Sequence, residues 1–321
     1  MKDVIEQNLE QSATTSLAAQ VGVVSVITEK PFKWTDINDP FSPELDRIAG
    51  VYGFHELAVE DCRNFVQPAK LDEYDNYIFV IINSIAFEPK ELKITLREID
   101  VFVGRDYVVT SHHGLSRAVI DISQRLPTNR HRLNAPDAIL HALLDSVVDR
   151  YLPTLDLIGD TIDELEDRLM VNPDIKLLDD IFALKRSLLH FRRAASAQRE
   201  LLNMLMRRNL PLIRPELAIY FRDVYDHVVR SLDLIETYRD LLTGALDVYL
   251  TQMANRTNDI VKGLSILATI MLPLTLITGF FGMNFSYIPL AQRPYGIWYV
   301  TASLFIIAGA MLWYFRRKGW L

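Results

Sequence analysis

Two apolar runs without a single charged residue, Gly263 to Phe281 and Tyr295 to Phe315, lie close together near the C-terminal end of this 321-residue chain. Each is about 20 residues long, enough at 1.5 Å per residue to cross a hydrocarbon core of roughly 30 Å. Helices buried in soluble proteins are usually shorter and keep a polar face, so both runs read as membrane-spanning. The first ten residues are polar and acidic and lack the basic-then-apolar order of a secretory signal. Insertion is therefore expected to rely on the C-terminal hairpin.

Charge divides the chain in the same place. All 41 acidic residues precede Lys262, and from Lys262 onward there are five basic residues and no acidic one. The rest of the chain then holds 29 basic residues (34 less 5), for a formal charge of −12 (29 less 41). Arg256 and Lys262 precede the first run, Arg316, Arg317 and Lys318 follow the second, and the loop between them has only Arg293. By the positive-inside rule both ends lie in the cytoplasm and the loop faces outward, as expected for a cytoplasmic (inner) membrane protein.

Several chemistries find no support. Cys62 is the only cysteine, so neither an intrachain disulfide nor a thiolate cluster can form, and a small buried apolar role suits it. His55-Glu56 and His112-His113 are isolated pairs without H-E-x-x-H spacing, and no phosphate-binding P-loop is present. The chain is read as a non-enzyme without a cofactor, and so acidic a chain is not expected to bind nucleic acid.

The pattern changes near Pro136. Before it, β-branched stretches at Val21–Thr28, Tyr77–Phe87, Leu92–Val103 and Tyr107–Ser111 predict strands, and Ser42-Pro43-Glu44 predicts a helix start with Ser42 as N-cap. From Pro136 the chain reads as helix, broken only near Asn172-Pro173 and Asn209–Pro215. Pro215 opens a segment predicted as one helix from Glu216 to Phe281, roughly 100 Å long, with Pro273 inside its apolar part. A helix of that length must bundle with Ile139–Met170 and Ile175–Arg208, or with other subunits. The expected fold is an α+β membrane protein. It comprises an α/β cytoplasmic domain (1–135), a long-helix stalk or funnel (136–262), transmembrane helices over 263–283 and 295–315 joined by an outer loop (284–294), and a basic tail (316–321).

Counting by sevens along the long helix from Asp226 gives Asp233, Asp240, Asp247, Ala254, Val261, Ala268, Thr275 and Gly282. A companion row gives Thr251, Asn258, Ser265, Leu272 and Gly279. An ideal helix drifts only about 20° per heptad, so the two rows make one slowly winding stripe, acidic first and then small or neutral-polar. A solvated helix face would account for the four Asp. In a ring of such helices the stripe becomes a cation-attracting vestibule, with neutral oxygens at Asn258 and Thr275 and apolar constrictions at Val261, Leu264 and Leu272. Two spanning helices cannot enclose a pathway, so a channel requires a homo-oligomer. All seven His lie between His55 and His227, away from this pathway, which favours a hard, oxygen-loving divalent cation such as magnesium. Asn284 at the helix exit could hydrogen-bond a hydrated ion, or simply cap the helix after Gly282.

These residues resemble the CorA magnesium-transporter family, known by a Gly-Met-Asn signature. The resemblance runs from about Glu60 and is strongest over 220–321. It rests on Tyr220 to His227, Leu246 to Leu250, Thr257-Asn258, Pro273-Leu274-Thr275, Gly282-Met283-Asn284-Phe285 and the closing Lys318-Gly319-Trp320-Leu321. The resemblance implies a homopentamer with a cytoplasmic funnel and an axial pore formed by the first membrane helix. It implies ion selection at Gly282, Met283 and Asn284, a pore lined by Asp247, Asn258, Thr275 and Gly279, a hydrophobic gate at Val261, Leu264 and Leu272, and a basic collar at Arg316, Arg317 and Lys318. Regulatory metal between subunits would fall to Asp61 with Asp223, and to Glu60 with Asp145. Magnesium is then both substrate and regulatory ligand, and lipid and further copies of the chain are the partners. One departure matters. The outer loop reads Ser286-Tyr287-Ile288-Pro289-Leu290-Ala291 and then Arg293, without the acidic residues common there, which leaves cobalt, nickel or zinc open as the transported ion. A membrane-tethered metal sensor without a pore is the alternative from another class.

Overall fold

A computed structural model describes residues 24–28, 30–64, 67–129, 131–171, 174–207, 210–283 and 295–320. The chain folds into two compact units, Met1–Leu246 and Asp247–Leu321.

The first unit is built on a six-stranded mixed sheet in the order β1-β2-β6-β5-β4-β3. The strands are β1 (Val24–Thr28), β2 (Lys33–Ile37), β3 (Lys70–Glu73), β4 (Tyr77–Glu88), β5 (Lys93–Gly104) and β6 (Tyr107–His112). All neighbours pair antiparallel except β2 and β6, which run parallel from Lys33 opposite Tyr107 to Ile37 opposite Ser111. The long β4–β5 hairpin is apolar on both faces because both are covered, so its sequence is a near-continuous run rather than an alternation. Tyr77, Phe79, Ile81 and Phe102 face one side, where α1 (Pro43–Tyr52) and α2 (Glu56–Arg63) close over them. Phe54 stacks on Phe102 with ring centroids 3.9 Å apart, and Tyr52 stacks on Tyr107 at 4.0 Å.

The predicted start of α1 is as expected: the Ser42 hydroxyl accepts from the Glu44 N–H at 3.2 Å, and Pro43 occupies the first helical position. Gly53, at φ 71°, ends the helix in the left-handed region that glycine enters without cost. His55, one half of a pair that carries no catalytic spacing, is the cap of α2, its Nδ1 accepting from Leu57 N–H. Cys62 is buried and donates to the Ala58 carbonyl. Burial first, then the nearby Asp100, pushes its thiol well above the ordinary range, so it is an inert core residue.

On the other face of the sheet lie α4 (Pro136–Val148), α5 (Tyr151–Val171) and α6 (Ile175–Arg207), with α3 (Arg117–Arg125) packed beside α4. Tyr151 is wholly buried, donates to the Asn83 carbonyl at 3.0 Å and meets Phe191 edge-on. The expectation of unbroken helix from Ile139 to Met170 is corrected: Asp149 and Arg150 separate α4 from α5. Pro153 has no N–H to give the Asp149 carbonyl, so the helix restarts there instead of running through.

After a 3-10 turn at Pro215–Leu217, α7 runs without interruption from Ala218 to Phe281, through Pro273. In the first unit it buries Phe221, Val228, Ile235 and Leu242, seven residues apart, together with Val224, Ser231 and Ala245. This second seven-residue row is the seam of a helical bundle. Phe221 meets the His141 ring of α4, and Tyr238 abuts Gly159 of α5, where a Cβ would stand 2.7 Å from the tyrosine hydroxyl.

In the second unit the remainder of α7 is followed by α8 (Gly296–Arg317). Both helices are long and apolar enough to cross a membrane, and only 6% of the most apolar window of either is buried, unlike the core helix of a soluble domain. Gly319, at φ 70°, terminates α8, and the Trp320 ring folds back onto Phe315 at 5.8 Å.

Candidate functional site

The predicted stripe lies wholly on the uncovered side of α7. Asp226, Asp233 and Asp240 are exposed in the first unit, as are Asp247, Ala254, Asn258, Val261, Leu264, Ser265, Ala268, Leu272, Thr275 and Gly279 in the second. In the apolar part of the helix the covered positions include Lys262, Ile266, Ile270, Pro273, Ile277 and Phe281. They stand two residues out of phase with Ala268, Leu272, Thr275 and Gly279, or about 200° around a helix that turns 100° per residue. α8 repeats the pattern at Val300, Leu304, Ile307, Met311 and Phe315, and Lys262 Nζ donates to the Gly319 carbonyl at 3.4 Å. One face of α7 therefore goes to its own hairpin partner. The opposite face, with small, hydroxyl, amide and a few aliphatic side chains, is not covered by any of the described residues.

Gly282 continues the last turn, its N–H donating to the Thr278 carbonyl at 2.9 Å, and Met283 follows with a 3.4 Å bond to Phe280. Asn284 lies outside the described residues. Gly279 has open space where a Cβ would sit, so another helix could approach closely there. Arg316 and Arg317 occupy the last turn of α8 and Lys318 its C-cap, all exposed, with Arg317 over the Trp313 ring at 5.4 Å.

The regulatory candidates fall in two places. Asp145 and Asp223 line one cleft of about 790 Å³ between α3, α4 and the start of α7, together with His141 and Asp149. Burial raises the Asp145 carboxyl, and Asp149 and Asp223 raise it further while His141 and His227 oppose them. His227 Nδ1 stands 3.6 Å from Asp149. Burial lowers His141, against the pull of Asp145 and Asp223. Burial and the neighbouring carboxylates thus both disfavour the charged form of Asp145.

Asp61 is on α2, where its carboxylate receives Lys70 Nζ at 2.7 Å and Gln67 Nε2 at 2.9 Å. Lys70 also binds Asp72 at 2.7 Å, and although burial alone would lower its pKa, the hydrogen bonds to the two carboxylates raise it. Glu60 is exposed beside it. Among the described residues, no group of three or more His, Cys, Asp and Glu side chains is arranged to hold a metal. Lys70 was missed as a participant because its charge reaches Asp61 from a different element, β3, which the sequence did not reveal.

Residues 29–317 match the family described as CorA-like Mg2+ transporter proteins. The chain belongs to the CorA family. The cobalt/magnesium transport protein CorA of Thermotoga maritima is 34% identical over 279 residues, covering 86% of this chain and 80% of that one. The complete structure of the CorA magnesium transporter from Methanocaldococcus jannaschii matches with a TM-score of 0.80 at 28% identity, over 90% of this chain and 92% of that one. Full-length CmaX matches with a TM-score of 0.70 at 22% identity, a likeness that speaks for the fold alone. As a CorA protein the chain is a divalent-cation transporter of the membrane and not an enzyme.

Proposed function

We propose that this CorA protein is a homopentameric, channel-type transporter through which hydrated magnesium enters the cell down the membrane potential. The observation that carries the reading is the uncovered stripe of α7: helices that give one face to their own hairpin and leave a small, neutral-polar face open can meet copies of themselves around an axis. Asp247 and the acidic rows before it would concentrate cations at the inner end, Asn258, Thr275 and Gly279 would line the path, and Val261, Leu264 and Leu272 would form the gate. Gly282, Met283 and Asn284 would select the ion at the outer mouth, with Arg316, Arg317 and Lys318 ringing the inner surface. Both termini would be cytoplasmic, with the soluble unit in the same compartment.

Intracellular magnesium would close the pore by binding between neighbouring subunits, at Asp223 with Asp61 and at Asp145 with Glu60. Carboxylates from two chains repel when empty and attract through a divalent ion, so the bound state holds the ring closed. The outer loop, without acidic residues and with Arg293, favours a second reading in which cobalt, nickel or zinc is also carried.

Flux into proteoliposomes, with magnesium, cobalt, nickel and zinc presented singly, tests the reading. Magnesium should enter the wild type and be lost with Asn284→Ala. Metal-dependent binding without flux would identify a sensor lacking a pore, and preference for another metal would reassign the substrate.

A further inference from the structure

A second cleft, of about 710 Å³, shares Arg150 with the first but none of the carboxylates assigned to metal. Its walls are the end of the β4–β5 hairpin, the Ser116-Arg117 start of α3 and the Arg150 to Thr154 start of α5. In a soluble unit that is strongly acidic, this cleft is basic. Lys90, Arg97, Arg117 and Arg150 line it against Glu88 and Glu98, a formal excess of two positive charges (four less two). Arg150 binds Asp121 at 2.7 Å, whereas Lys90, Arg97 and Arg117 make no ion pair among the described residues. Burial raises the Glu98 carboxyl above its ordinary range, which weakens its opposition to an anion.

The two helix starts sharpen the charge. α3 has 9 residues and α5 has 21, and neither has an acidic residue in its first turn. Arg117 at the first position of α3 and Arg150 immediately before α5 place cations at the positive ends of two helix dipoles. Asp121 already meets Arg150, which leaves Arg117, among the described residues, as the unpaired cation at a helix N-terminus, where an anion is favoured. His112, only 4% exposed, is among the residues lining the cleft. Neither ring nitrogen makes a hydrogen bond, although Nε2 stands 3.1 Å from the Asp36 carboxylate. A buried ring nitrogen left unused costs free energy that a ligand oxygen would recover. Apolar contributions from Phe87, Leu115, Pro153 and Leu157 complete the lining.

From these features we propose that this cleft binds a phosphorylated small molecule, its phosphate against Arg97, Arg117 and the two helix N-termini and its remainder against the apolar wall. The volume suits a ligand of nucleotide size.

Titration calorimetry on the full chain in detergent, with EDTA present so that the metal sites are empty, tests this with inorganic phosphate, pyrophosphate and ATP as probes. Saturable binding is expected, weakened about tenfold or more by Arg117→Glu and by Arg97→Glu, and unchanged by Lys176→Glu on the remote α6. Similar affinity for phosphate and ATP would support a site reading phosphate alone, and preference for ATP would support use of the apolar wall. Arg97→Gln provides a milder variant should charge reversal disturb folding. Absence of saturable binding by all three probes, or equal binding by wild type and both arginine variants, would overturn the proposal. Either result would leave the metal transport reading untouched.

Discussion

Lys70 sits between Asp61 and Asp72 at 2.7 Å from each, so any divalent ion that reaches Asp61 has a tethered competitor already in place. An ammonium and a metal ion contend for the same carboxylate oxygens, and removing the ammonium should favour the metal. Lys70→Gln is therefore expected to lower the magnesium concentration needed for closure several-fold, about three- to tenfold. Asp223→Ala should raise it and increase influx at high internal magnesium. Protease protection across a magnesium titration reads both shifts, and an unchanged midpoint in both variants would remove these residues from the sensor. A second residue-scale prediction concerns Asp100, wholly buried, whose carboxyl is pushed far up by burial and by the charge of Glu98. The folded value exceeds the unfolded one, so the group's stabilising contribution is full below the ordinary aspartate range and is lost as pH rises through the folded value. Asp100→Asn needs no proton and should lose this slope. From about pH 5 to pH 8 its thermal midpoint should gain on the wild type by on the order of 1 kcal/mol, about 2–4 °C. A constant difference across that range would refute the argument.

At the scale of elements, β4, β5 and β6 were legible to within a residue or so because double burial makes their β-branched runs long and uninterrupted. β2 and β3 were not. Lys33–Ile37 hides a buried Asp36 that is acceptable because Thr110, from a strand far away in sequence, donates to it at 2.5 Å and His112 of the same strand stands 3.1 Å from it. Lys70–Glu73 carries the charges expected of an edge. The long helix could be read end to end from its bounding prolines and glycine, and its polar stripe from a count of sevens. That the stripe lies opposite the hairpin partner depends on how α8 packs, which no local pattern encodes. A contact that the sequence equally conceals ends β5: a Cβ on Gly104 would fall within the Tyr107 ring, itself buried and stacked on Tyr52. Gly104→Ala must displace that ring from the core and is expected to cost about 1–3 kcal/mol. Chemical denaturation should show it as a lower midpoint with an unchanged slope, and a variant as stable as the wild type would mean that the ring has room to move.

For the whole molecule, the division of charge at Lys262 separates two environments and also bears on the driving force. An acidic soluble unit draws cations toward the inner end of the proposed pathway, but it supplies no net work over a transport cycle. The work must come from a gradient. A doubly charged ion crossing 100 mV gains about 4.6 kcal/mol, enough for roughly a 2,000-fold accumulation without any coupled reaction. A channel lined by neutral oxygens, as Asn258 and Thr275 would make it, needs nothing more. Proteoliposomes with a potassium-diffusion potential, negative inside, should therefore take up magnesium at a rate that rises with the potential and collapses when the potential is dissipated. A pH gradient imposed at zero potential should have no effect. Uptake that instead followed the proton gradient would replace passive entry with proton coupling and would move attention to the titratable residues beside the path, beginning with Asp247.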